Sequence, residues 1–180
     1  MNTSPATAAR PADGGEDPLR LFVALWPQPA LAQALHGWAA EGAGARALPA
    51  QRLHLTLHFL GSVARARLPA LRVALRVPSR AFVLEFADCQ RWSRRLLVAL
   101  PHAVPEELRE LHASLGQALR GLELPVEGRP FRPHVTLSRH ESPGLPPRRT
   151  TPLRWPVSGH VLVQSQPASG QVYTVLQHYR

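Results

Sequence analysis

The sequence has 180 residues, 44% of them hydrophobic and 18% charged, which suits one domain with a sizeable core. A single cysteine excludes an intrachain disulfide and a cysteine-rich metal site, and no run approaches the roughly 18 apolar residues of a membrane span. The net charge is +9, and all 21 basic residues are Arg. Because guanidinium binds phosphate through two hydrogen bonds, such a surface suits a polyanion, although codon bias explains the Arg content equally well.

Residues 1–18 show no hydrophobic periodicity, so we predict a disordered tail over 1–18 and a single domain over 19–180. A strand is predicted at Leu19–Leu25, and Pro29 then begins a helix that continues to about residue 40. The clearest helix starts at Pro105 and carries an apolar stripe of leucines at helical spacing. The other predicted elements are strands over 53–60 and 133–138, a helix over 66–75, strands over 82–86 and 96–100 around a basic turn at 91–95, a loop over 142–149, and strands over 157–164 and 171–177 around a turn at 167–170.

Two of the predicted strands carry the same pair of polar residues. In the first, apolar side chains alternate with His54 and Thr56, which is the period of a strand with one face on a core. Eighty residues later the second strand repeats the pattern with His134 and Thr136. We therefore predict an α+β fold with two pseudo-symmetric lobes, each an antiparallel sheet with outer helices, around a central cleft that carries the two His-x-Thr strands.

Opposed imidazoles allow acid–base chemistry on a phosphate. Imidazole moves protons near neutral pH, so one ring can take a proton from water while the other protonates a leaving oxygen. Thr hydroxyls on the same face can bind non-bridging phosphate oxygens. His54 and His58 are four residues apart, which on a strand is too far for both to bind one zinc ion. We therefore expect no metal and no cofactor.

The surrounding residues resemble the 2H phosphoesterase superfamily, and within it the LigT-like branch of RNA 2′,3′-cyclic phosphodiesterases, also called 2′-5′ RNA ligases. The resemblance covers about residues 19–180. It is carried by RLFVAL at 20–25, HLTLHFLG at 54–61, FRPHVTLSR at 131–139, and the closing segment 165–173 with its Gly170.

This resemblance implies hydrolysis of RNA 2′,3′-cyclic phosphate ends to 2′-phosphates without metal, with 2′-5′ joining as the reverse reaction. It implies that His54 is the proton donor and His134 the proton acceptor, and that Thr56 and Thr136 hold phosphate oxygens. The implied partner is RNA with a cyclic phosphate end, tRNA fragments among the candidates. We expect a cytoplasmic monomer with no membrane partner.

The resemblance also implicates Phe59 and Arg139, each five residues after a motif histidine. Phe59 would stack on a base, and Arg139 would contact phosphate. Strict alternation places both on the wrong face, so either a bulge or the strand end re-aims them, or they are ordinary core and rim residues. We expect His58 to be solvated, and we expect surface positions for three further histidines, His140, His160 and His178.

Two other functions remain open from the sequence. A phosphodiesterase for a small cyclic nucleotide or a 2′-5′ oligonucleotide would use the same cleft chemistry. A non-catalytic RNA-binding module would explain the basic charge, but binding alone does not require two opposed imidazoles.

Overall fold

A computed structural model describes residues 17–93, 95–139, 148–166 and 172–180. The predicted tail up to residue 16 and the turn at 167–170 lie outside these residues. The strands are β1 Leu19–Leu25, β2 Leu55–Val63, β3 Phe82–Ser93, β4 Leu96–Pro101, β5 Val135–Ser138, β6 Arg148–Val157, β7 His160–Gln166 and β8 Val172–Tyr179. The α-helices are α1 Pro29–Ala43, α2 Leu68–Ala74 and α3 Glu106–Gly121, and short 3-10 turns lie at Gly44–Arg46, Ala50–Arg52 and Arg65–Arg67.

The eight strands form one antiparallel sheet in the order β6-β3-β4-β5-β2-β1-β7-β8. The two central strands, β2 and β5, are joined by a single residue pair, Leu55 with Val135. The sheet therefore divides into a first lobe (β2-β1-β7-β8) and a second lobe (β5-β4-β3-β6), which meet where the two His-x-Thr strands begin. The predicted α+β class with two antiparallel lobes is confirmed.

The helices hold the two lobes together. Helix α1 follows β1 of the first lobe but packs on β5 and β6 of the second, whereas α3 follows β4 of the second lobe and packs on β2 of the first. The buried face of α3 is the predicted stripe, with Leu108, Leu111, Leu115 and Leu119. Each buried leucine contributes about 1.5–3 kcal/mol, so separating the lobes would expose a shared core.

A bulge interrupts each His-x-Thr strand three residues after its histidine. Val23 pairs with His58 and Ala24 with Thr56, so Leu57 of β2 is an extra residue without a partner on β1. In the second lobe Leu97 pairs with Ser138 and Val98 with Thr136, which leaves Leu137 extra in the same way. One extra residue reverses the alternation of the faces. The residue five places after each histidine therefore returns to the histidine's own face.

Three element predictions need correction. Strand β3 continues to Ser93, so the predicted basic turn at 91–95 is wrong for 91–93. Strand β6 was not predicted. It begins at Arg148, so the predicted loop over 142–149 is wrong for 148 and 149, and residues 142–147 lie outside the described ones. The strand contains Pro152 and Pro156. It is an edge strand, where a missing backbone N–H is tolerated. Its presence also moves the start of β7 from residue 157 to His160.

The predictions for His58 and His160 are wrong, because both side chains are buried. The bulge at Leu57 turns His58 toward α3, where its Nε2–H donates to the His112 carbonyl at 2.8 Å and its ring stacks on that of His112 at 4.1 Å. The Nε2–H of His160 donates to the Leu75 carbonyl at 3.0 Å. Burial lowers the pKa of both imidazoles.

The side chain of His178 is exposed, as predicted. His140 lies outside the described residues. Among the helices that the structure describes, none is long and apolar enough to cross a membrane.

Candidate active site

The single pair that joins the lobes also brings the two motifs together. In an antiparallel pair, the residue before one partner lies opposite the residue after the other. Since Leu55 pairs with Val135, His54 comes beside Thr136 and Thr56 comes beside His134. Leu55 and Val135 are buried in the core, whereas the four polar residues are half-buried on the opposite face, which we call the cleft face. The structure therefore brings together all four residues of the two predicted motifs.

The two imidazoles are held by the same backbone contact. Nδ1–H of His54 donates to the Arg52 carbonyl at 2.7 Å, and Nδ1–H of His134 donates to the Arg132 carbonyl at 2.8 Å. A carbonyl only accepts, so the contact requires a proton on Nδ1. In each neutral ring the lone pair is then on Nε2, which is the nitrogen left available for proton transfer in the cleft.

Three aromatic rings surround His54. The Trp26 indole stacks parallel to the imidazole with centroids 5.5 Å apart, and Tyr173 meets it edge-on at 5.2 Å. Phe22 lies 4.9 Å away. These rings limit how far the imidazole can rotate, and they withdraw it from water.

His134 has a different neighbourhood in the second lobe. Its ring lies 4.5 Å from that of Trp92, and the Arg132 guanidinium sits over the Trp92 ring at 4.5 Å. The two histidines thus have equivalent positions in the paired strands and equivalent hydrogen bonds, but different aromatic neighbours.

The surroundings lower the pKa of both motif histidines and so favour the neutral ring. Burial lowers the pKa of His54 to about 4, against the opposing effect of the Arg52 carbonyl, and the positive charges of Arg139 and His134 lower it further. The pKa of His134 is also lowered, first by burial and then by Arg139 and Arg132. The positive charge of Arg139 therefore disfavours the protonated form of both rings.

The bulges resolve where Phe59 and Arg139 point. Phe59 pairs with Phe22, which contacts His54, so Phe59 lies on the cleft face and is 48% exposed. The Arg20 guanidinium covers its ring at 4.8 Å. Arg139 follows the second bulge directly after β5 and is exposed, and its charge lowers the pKa of both imidazoles. Exposure excludes a core position for both residues, and whether they contact substrate or are rim residues stays a prediction.

Sequence reasoning missed the three rings Trp26, Tyr173 and Trp92. Trp26 follows Phe22 and Ala24 at strand spacing, so extending the alternation past Leu25 could have found it. Tyr173 comes from β8, and no local pattern links it to His54. Trp92 was assigned to a turn that is part of β3.

Within the described residues, no group of three or more His, Cys, Asp or Glu side chains is arranged to hold a metal ion. The described site offers two imidazoles and two hydroxyls, with the positive charges of Arg132 and Arg139 acting on it. This donor set suits proton transfer to and from an oxygen of a bound anion.

Comparison with known proteins gives consistent matches. Residues 27–165 match the model of the 2′-5′ RNA ligase superfamily. An RNA 2′,3′-cyclic phosphodiesterase of Thermus thermophilus is 35% identical over 159 residues, which cover 76% of this chain and 75% of that protein. An Escherichia coli protein of the same name is 34% identical over 132 residues, with 70% and 74% covered.

The fold has a counterpart among solved structures. The crystal structure of E. coli LigT complexed with 3′-AMP superimposes with a TM-score of 0.80 at 29% identity, covering 91% of this chain and 98% of that one. The resemblance inferred from the two motifs is thereby confirmed.

Proposed function

Because the chain belongs to the 2′-5′ RNA ligase superfamily, we propose that it hydrolyses RNA 2′,3′-cyclic phosphate ends to 2′-phosphomonoesters. The observation that carries the proposal is the pair of imidazoles at the junction of the lobes, each with Nδ1 bound to a backbone carbonyl. This arrangement provides two Nε2 atoms for one reaction centre.

In the proposed step, Nε2 of His134 takes a proton from water while the water oxygen forms a bond to phosphorus. The bond from phosphorus to the ribose 3′ oxygen breaks, and His54, which must enter this step protonated on both ring nitrogens, gives that oxygen its Nε2 proton. The product keeps phosphate on the 2′ oxygen. Each proton transfer needs a contact of roughly 3 Å, so the cyclic phosphate must lie between the two rings.

The other cleft residues stabilise the phosphate in this proposal. The hydroxyls of Thr56 and Thr136 donate to its non-bridging oxygens, and Arg139 offsets the charge that develops there. Phe59 stacks on a base of the substrate. The reverse reaction uses the 5′-hydroxyl of a second RNA in place of water and forms a 2′-5′ linkage.

The product isomer and the effect of EDTA test this proposal directly. A nucleoside 2′,3′-cyclic phosphate should give only the 2′-phosphate, because the assigned donor protonates the 3′ oxygen. The rate in excess EDTA should equal the rate without it, since imidazoles and hydroxyls supply the chemistry. Chromatography against 2′- and 3′-phosphate standards distinguishes the isomers. A 3′-phosphate product would contradict the assigned leaving oxygen, and activity lost in EDTA and restored by zinc would favour a metal mechanism.

The pH dependence of kcat/KM should reflect the lowered pKa values. The reaction needs one neutral and one protonated imidazole. The pKa of both rings lies below the usual value of 6.5. Raising the pH above about 6.5 therefore depletes the donor, and kcat/KM should fall about tenfold per pH unit. Rates measured from pH 4.5 to 9, with circular dichroism at each pH, check this. A plateau between pH 6.5 and 8.5 would show that neither imidazole must be protonated in the free protein.

A further inference from the structure

A cavity of about 510 Å³ lies next to His54, takes its lining from β1, β7 and β8 of the first lobe and β6 of the second, and contains none of the four motif residues. It shares a wall with the site, because Trp26 and Tyr173, two of the three rings around His54, also line the cavity. The rest of the wall comes from the first turn of α1, from β8 and from the connection between β6 and β7. A ligand in this cavity would therefore lie directly behind the aromatic rings that hold the imidazole.

The lining combines flat apolar surfaces with neutral hydrogen-bonding groups. Trp26 and Tyr173, both half-buried, provide aromatic rings, and the side-chain amides of Gln28, Gln33 and Gln51 provide donors and acceptors. His178 and Arg180 add imidazole and positive charge, and no Asp or Glu is found among the described residues that line the cavity. Rings stack on nucleobases, amides bind base edges, and a lining that has positive side chains but no Asp or Glu among its described residues accepts a phosphate diester.

One wall of the cavity is formed by closely packed backbone and buried side chains. This wall is the β6–β7 connection, where Gly159 lies so close to β8 that an added Cβ would come within 1.9 Å of the Tyr179 carbonyl oxygen. Trp155 and His160 on either side of this connection are buried. The volume is in the range of pockets for one small ligand, which is room for one nucleotide.

We propose that this cavity binds the nucleotide on the 5′ side of the one that carries the cyclic phosphate, so that the preferred substrate is an oligoribonucleotide. The inference rests on the proposed function. If His54 protonates the 3′ oxygen, the terminal ribose lies on the side of the first lobe. From that ribose the RNA continues only through its 5′ oxygen. A base that contacts Trp26 lies within about 10 Å of the His54 ring, because van der Waals contact adds roughly 3.5 Å to the 5.5 Å ring separation.

The test compares a mononucleoside 2′,3′-cyclic phosphate with a dinucleotide that ends in the same cyclic nucleotide. The wild-type protein should favour the dinucleotide in kcat/KM by about tenfold or more, as expected for stacking of one base. Ser158→Trp places a large ring at the cavity, and Gln33→Glu adds a negative charge to its wall. Both side chains are exposed, and neither belongs to the proposed reaction centre. Each variant should lower the dinucleotide preference at least about fivefold and leave mononucleotide turnover within about twofold of wild type.

Matched controls separate the cavity from general effects. Val73→Trp puts the same ring on the exposed face of α2, and Gln117→Glu makes the same charge change on the exposed face of α3. Both should keep the wild-type preference. If the cavity variants also keep it, or if the wild-type protein does not favour the dinucleotide, the cavity is not the subsite. Failure of the wild-type protein to hydrolyse either substrate would instead refute the proposed function, and the inference with it.

Discussion

Replacing His54 or His134 by alanine is expected to lower kcat for cyclic phosphate hydrolysis by roughly 10²–10⁴-fold, the usual contribution of a positioned general acid or base. Each imidazole is half-buried and is held by one hydrogen bond to a carbonyl two residues earlier in the chain. Alanine removes the proton-transferring group and leaves that carbonyl within reach of water. The fold should therefore be retained while the reaction is lost.

The double variant tests whether the two rings act as a unit. If they act in one step, the double variant His54→Ala with His134→Ala should lower kcat little more than either single change does. The effects on kcat of residues that act together are not additive. His102→Ala is the matched control, since His102 is exposed on the second lobe and should retain full activity. Circular dichroism and melting temperature establish that the variants are folded. Wild-type turnover in a folded single variant would refute the role assigned to that histidine.

Replacing Arg139 by alanine is expected to lower kcat/KM by roughly 10–100-fold, the range of a hydrogen bond to a charged group. The contact is made to the phosphate before the transition state, so the loss should appear in KM as well as kcat. Arg139→Lys should recover only part of the loss, since lysine keeps the charge but not the planar pair of donors. Steady-state kinetics on a cyclic phosphate RNA measure both parameters.

The same substitution should change the pH profile. The positive charge of Arg139 lowers the pKa of both His54 and His134. Removing it raises both pKa values, so the kcat/KM optimum of Arg139→Ala should move to higher pH, whereas Arg139→Lys should keep the wild-type optimum. Arg76→Ala, an exposed charge change on the segment after α2, is the control. Unchanged kinetics and an unchanged optimum in Arg139→Ala would identify Arg139 as an ordinary surface residue.

Paired bulges explain how the two strands place a second residue in the cleft. A regular strand would send the fifth residue after each histidine to the opposite face. Leu57 and Leu137 each add one residue, so Phe59 returns to the cleft face in the first lobe, and the matching position in the second lobe is Arg139. The position of each bulge therefore decides which residue after the motif lies on the cleft face.

The sequence alone determined the features that depend on local periodicity. Side chains alternate along a strand, so His54 had to share a face with Thr56, and His134 with Thr136. Helical spacing in the same way identified the buried face of α3 before the structure was known. Two copies of one motif also favoured two lobes, which the sheet order confirms.

Only the tertiary structure decided what depends on a partner strand. A bulge is defined by pairing, so its position in β2 cannot be derived from the residues of β2 alone. The same bulge buries His58, which by alternation alone would face solvent. Tyr173 reaches His54 only because β8 is carried to the first lobe by the sheet order, at a separation of more than a hundred residues along the chain. Such contacts follow from the register of the sheet, which is set by the packing of the whole core.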